Sequence, residues 1–146
     1  MKVSKYLIPM AIAYVLISCG HRSEGYQHVG DSDLAFQVLP GSKGATGSTR
    51  GTYLFRIIPS AARYEALSAH LRDSLVLHMD SSFHAEIHGR TISPLYVQNI
   101  PNGIKGTFEF MADFDLNKAE TGDTLQIIYQ DKYINEKKYR VKTVVK

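Results

Sequence analysis

Thr107-Phe108-Glu109-Phe110-Met111-Ala112-Asp113-Phe114 decides the fold. Phe108, Phe110, Ala112 and Phe114 stand at every second position, with Thr107, Glu109, Met111 and Asp113 between them. A strand turns successive side chains to opposite faces, so this spacing describes a half-buried strand with one aromatic face. The same alternation recurs outward in both directions. Leu34, Phe36 and Val38 carry it, as do Tyr53, Phe55 and Ile57, and then Leu75, Leu77 and Met79. Phe83, Ala85 and Ile87 follow, then Leu125, Ile127 and Tyr129, and finally Tyr139, Val141, Thr143 and Val145. Residues 92–100 hold one or two further short strands, broken at Pro94. Turn-forming clusters separate them: Gly41-Ser42-Lys43-Gly44, Asp80-Ser81-Ser82, His88-Gly89, Pro101-Asn102-Gly103 and Thr121-Gly122-Asp123.

Short strands at this interval predict a mainly β domain, a single Ig-like antiparallel β-sandwich of about seven to nine strands. One segment departs from the period of two. In Pro59–Leu71 the residues Tyr64, Leu67 and Leu71 fall at helical spacing behind Ser60, a residue suited to cap a helix, and one short helix is expected there. Gly41–Gly51, rich in Gly, Ser and Thr and without an apolar anchor, reads as a loop.

Composition narrows the function classes. The chain has 146 residues, with nine Tyr, six Phe and no Trp, which suits one β-rich domain with a real core. It has one cysteine, so neither an internal disulfide nor a zinc site built from several thiolates can form. The formal charge is +3, but Lys2 and Lys5 lie at the extreme N-terminus, and without them cations and anions nearly balance. Non-specific nucleic-acid binding requires many phosphate-neutralising cations, so no nucleic-acid partner is expected.

The N-terminus has its own pattern. Two lysines precede the apolar run Leu7–Ile17, which is shorter than the roughly 20 residues needed to span a bilayer and has the length of a secretion-signal core. The run ends Leu16-Ile17-Ser18-Cys19. This resembles the lipobox of bacterial lipoproteins. The resemblance implies a signal peptide over 1–18, cleavage before Cys19, and a diacylglycerol on the Cys19 thiol, with further acylation (palmitate or a similar chain) on the new N-terminus. Residues 19–30, with glycines at 20, 25 and 30, then read as a flexible tether, and 31–146 as the sandwich. The expected location is the cell envelope, held on a membrane by lipid, at the outer membrane on its periplasmic or surface side. The segments Phe83–Pro94 and Phe108-Glu109-Phe110 are similar to small envelope lipoproteins of Bacteroidota. That similarity implies an accessory subunit of a secretion (type VI-like) or conjugation apparatus, with protein partners in an envelope complex.

Candidate chemistry is sparse. His84, Glu86 and His88 share one face of their strand, and a tight turn at Asp80–Ser82 would set His78 opposite His84. Imidazoles and a carboxylate on adjoining positions could ligate zinc or another divalent ion. The alternative is a solvated polar face, and a His88-Gly89 hairpin turn would rotate His88 away. Lys138, Arg140 and Lys142, with Lys146, share the outer face of the last strand. They form either a docking stripe for an acidic partner or lipid headgroups, or edge protection against sheet-to-sheet pairing. Asp113-Phe114-Asp115-Leu116-Asn117 begins like a calcium loop but has Lys118 and Thr124 where that loop needs Gly and Glu. Gly41–Ser48 has phosphate-loop residues in the wrong order, and no Gly-x-Ser-x-Gly elbow is present. The expectation is a non-enzymatic binding or scaffolding subunit with no cofactor beyond the Cys19 lipid. The rival is an envelope lipoprotein that binds a ligand or metal on the His-rich face.

Overall fold

The computed structural model describes residues 25–43 and 49–145. The expected signal peptide, Cys19 and half of the expected tether fall outside them, as do residues 44–48 of the Gly/Ser-rich segment and Lys146. Nine strands and two helices follow in the order β1 (Gln27–Gly30), β2 (Leu34–Lys43), β3 (Arg50–Pro59), α1 (Ala61–Ala66), α2 (Ala69–Leu77), β4 (Phe83–Ile87), β5 (Arg90–Ile92), β6 (Pro94–Asn99), β7 (Phe108–Asp115), β8 (Thr124–Gln130) and β9 (Lys138–Val144).

The strands form two antiparallel sheets, a five-stranded one in the order β1-β2-β3-β7-β6 and a four-stranded one in the order β5-β4-β8-β9. Their inner faces share one core, so the domain is a β-sandwich. The alternating apolar residues are the ones that build it: Phe36, Phe55, Phe110 and Phe114 from the larger sheet meet Phe83, Leu125, Ile127 and Tyr129 from the smaller, all fully buried. Phe83 sits at the centre, its ring 4.6 Å from Phe55, 5.5 Å from Tyr129, 5.6 Å from Phe110 and 6.3 Å from Phe36.

Four expectations change. The expected loop 41–51 gives residues 41–43 to β2 and residues 50–51 to β3. Leu75, Leu77 and Met79 are not a strand: Leu75 and Leu77 lie on α2, and Met79 follows its C-cap, His78. The single expected helix is two. Ser60 caps α1, its hydroxyl accepting from Arg63 N, and Ser68 caps α2 in the same way from Leu71 N. An N-cap needs extended backbone, and Leu67 between the helices is extended (φ −70°, ψ 125°), which breaks the run while sending its side chain into the core. Gln27–Gly30, read as tether, is strand β1, paired with Gly30↔Ala35 through Gln27↔Val38. The Pro94 break is a change of sheet: β5 ends at Ile92 in one sheet and β6 begins at Pro94 in the other, leaving Ser93 alone as the crossing. Proline tolerates that place because the first residue of an edge strand owes no ladder hydrogen bond.

Two polar clusters fix the ends of the chain. The β8–β9 loop is wound around Asp131, only 1% exposed, whose carboxylate accepts from the Tyr129 hydroxyl at 2.6 Å and from the backbone N–H groups of Tyr133, Ile134, Asn135 and Glu136. The same loop carries Lys137, whose Nζ reaches Asp31 at 2.8 Å and Asp33 at 3.2 Å in the β1–β2 turn. Arg63 of α1 adds a bond to Asp33 at 3.0 Å, and Tyr139 Oη donates to Asp31 at 3.0 Å. This clasp joins residues more than a hundred positions apart and closes one corner between the sheets.

The clasp makes the fold acid-sensitive. Lys137 holds the Asp31 carboxyl well below its ordinary value of 3.8, and Arg63 followed by Lys137 lowers Asp33. A carboxyl whose pKa is lower folded than unfolded stabilises fully above the unfolded value, and that stabilisation is lost as pH falls through it toward the folded value. Denaturation midpoints are therefore expected to be level down to about pH 5 and to fall below about pH 4. An Asp31→Asn chain should be less stable at neutral pH and show a shallower acid slope. Equal slopes for the two chains would show that the clasp does not form.

Candidate functional site

The His-rich face does not assemble as expected. His84 and Glu86 do point outward from β4, between the buried Phe83, Ala85 and Ile87. With Ser81, Thr91, Ile128 and Lys138 they line a shallow depression of about 270 Å³. His88, however, sits in the β4–β5 turn, where His88 (φ 48°) and Gly89 (φ 73°) both take the left-handed conformation that a two-residue hairpin loop requires. Its Nε2 lies 3.3 Å from the Asp123 carboxylate. His78 ends α2 rather than standing across a hairpin from His84, because residues 69–77 are helical and not a strand. Among the described residues no three His, Cys, Asp or Glu side chains are placed to hold a metal ion.

Lys138, Arg140 and Lys142 are exposed on β9, alternating with the buried Tyr139, Val141 and Thr143. β9 is an edge of the four-stranded sheet, paired only with β8. The stripe thus lies where cations oppose edge-to-edge pairing. The opposite edge of the larger sheet, β6, has no charged residue and leaves Leu95 and Tyr96 exposed.

Asp113 and Asp115 end β7, where Asp113 accepts from the Thr52 hydroxyl at 2.7 Å and Asp115 accepts from the Asn117 backbone N–H.

The structure also builds a site that the sequence reading missed. Glu109 of β7 projects from the outer face of the larger sheet beside Arg56 of β3, its cross-strand partner. Its Oε1 accepts from Arg56 and from the Tyr26 hydroxyl, both at 3.0 Å, and its Oε2 accepts from the Asn102 amide at 3.2 Å. The Arg56 guanidinium lies 4.5 Å over the Tyr26 ring. Burial works to raise the Glu109 carboxyl, but the bonds from Asn102, Tyr26 and Arg56 outweigh it and hold the pKa below the usual range. Burial and the bond to Glu109 raise the Tyr26 phenol. A carboxylate saturated with donors and held ionised is a poor proton acceptor, so this cluster positions chain rather than performs acid–base chemistry.

Glu109, with Asn99, Asn102, Lys105 and Thr107, also lines an open groove of about 440 Å³, a volume within the range of ligand-binding clefts. Its apolar wall is Tyr64, Val76, Ile100, Ile104 and Phe108. The β6–β7 connection shapes it: Gly103 (φ 70°) and Gly106 (φ 74°) take left-handed turns on either side of Ile104 and Lys105, while Asn102 Oδ1 accepts from Ile104 N. Ile104 is 57% exposed at this tip. On the helix side, Tyr64 carries the Arg72 guanidinium 4.6 Å above its ring and the Lys105 ammonium at 5.5 Å. Nothing local marks these partners in the sequence: Tyr26 and Glu109 are 83 positions apart. Compared with protein-family models, curated proteins and solved structures, the chain matches none of them.

Proposed function

We propose that this protein is a lipid-anchored lipoprotein of the bacterial cell envelope whose β-sandwich serves as a non-enzymatic binding or scaffolding subunit. The observation that carries the reading is the order lysine-bearing start, short apolar run, Leu16-Ile17-Ser18-Cys19. Each methylene of an attached chain contributes about 0.8 kcal/mol on entering the bilayer, and two or more chains hold a protein there durably. Among the described residues no helix is long and apolar enough to cross a membrane. The exposed cationic edge and the groove supply surfaces for partners. An accessory role in a secretion (type VI-like) or conjugation apparatus is the context we favour, and it rests on the similarity of Phe83–Pro94 and Phe108-Glu109-Phe110 to small envelope lipoproteins.

The anchor is tested by mass. The native product is expected to begin at Cys19 and carry acyl groups there. A Cys19→Ala chain is expected to keep residues 1–18 and gain no lipid. Recovery of the native chain from the soluble fraction without acyl mass would overturn the reading, as would normal processing of the variant.

A further inference from the structure

We propose that the Ile104–Lys105 tip and the adjoining Tyr64 form the surface that this protein lays on the lipid bilayer. The proposal rests on Cys19 carrying the anchor. Tyr26 is held on the larger sheet, its hydroxyl bonded to Glu109 and its ring under Arg56. Only six residues, and so seven Cα-to-Cα steps, separate it from Cys19. Fully extended they reach at most about 25 Å. A lipid on Cys19 is thus tethered within that distance of Glu109, which also lines the groove, so the surface around the groove is within reach of the headgroups.

The chemistry of that surface suits a water–lipid boundary. Ile104 is an aliphatic side chain thrust into solvent by an ordered turn, not by a frayed loop: the two left-handed glycines and the Asn102 bond fix it. Behind it the wall of the groove is aliphatic and aromatic. Beside it stand the groups that settle at headgroup level, a tyrosine ring with a lysine and an arginine over it. Lys105 is paired with Glu65 at 2.9 Å, but both are largely exposed, and so weak a pair yields readily to a lipid phosphate. Aliphatic insertion with cations at the phosphates is how a folded domain rests on an anionic interface.

The test exploits the single cysteine. With Cys19 held in a thioether, a cysteine introduced elsewhere is the one free thiol of the full chain. Ile104→Cys and Arg140→Cys chains, isolated in lipidated form, are labelled with an environment-sensitive fluorophore. They are then placed in vesicles of phosphatidylethanolamine and phosphatidylglycerol that contain a lipid-borne quencher. In vesicles the label at 104 is expected to emit at shorter wavelength than the same dye coupled to a small thiol in water, and to lose most of its emission to the quencher. The label at 140, on the edge of the other sheet, should do neither. Lys105→Cys gives the same readout should substitution at 104 disturb the turn. With acyl mass confirmed on Cys19, a label at 104 or 105 as wet as that at 140 overturns the proposed surface and leaves the anchor standing, as does shielding of 140 alone. Absence of acyl mass overturns both.

Discussion

An Asp131→Ala chain is expected to be about 3–5 kcal/mol less stable than the native chain, the scale seen when one partner of a buried charged network is removed. The carboxylate is 1% exposed and takes the Tyr129 hydroxyl and four backbone N–H groups. Alanine leaves those donors facing one another around a void, and each buried donor left without an acceptor costs about 1–3 kcal/mol. Water entering from the loop side recovers part of this, which is why the sum is not the sum of five bonds. Asn is a poor substitute, since its one oxygen replaces two and its amide brings further hydrogens into a ring of hydrogens. Urea denaturation is the measurement. Since whole domains are stable by only about 5–15 kcal/mol, the alanine variant should also lose a large share of its thermal midpoint. A loss below about 1 kcal/mol would mean that the loop is not organised by this carboxylate.

The second large effect is in the core. Phe83→Ala is expected to destabilise by about 3–5 kcal/mol, the range for deleting a buried aromatic ring. Phe83 is fully buried, and its ring touches rings of both sheets: Phe36, Phe55 and Phe110 on one side and Tyr129 beside it on its own sheet. Neighbours on four different strands cannot all move inward, so the cavity stays open and the cost belongs near the top of the range. Phe83→Leu, which keeps most of the volume, should lose less than half as much. Comparable losses for the two variants would show that ring–ring contact, rather than volume, governs this position.

The sandwich was legible because burial of one face imposes a period of two that no other structure tolerates. Phe36, Phe55, Phe83, Phe110 and Tyr129 each sit on such a run, and each is in the core. The period misled at Leu75, Leu77 and Met79, where the alternation was accidental. Leu71 and Leu75 stand four apart within α2, behind its cap Ser68, and that helical spacing was the stronger signal. β1 was invisible for a different reason. Gln27-His28-Val29-Gly30 is held by backbone pairing at a sheet edge, which selects no side-chain pattern. Of the sites, the outward Lys138, Arg140 and Lys142 followed directly from alternation. His78 followed its mistaken strand away from the face. Asp131 looked like any polar turn residue, since its ligands are mostly backbone N–H groups. Tyr26 with Glu109, and Asp31 with Lys137, meet only because distant strands become neighbours, and no local spacing encodes that.

The Lys137 clasp also sets an order of events. The segment that latches the β1–β2 turn is synthesised about a hundred residues after that turn, and β9 behind it supplies one edge of the smaller sheet. Native pairings of such long sequence separation form late, after the cost of closing a large loop has been met. Until Lys137 and β9 have been made, the growing chain has no latch at that corner, so the β1–β2 turn waits for its partner.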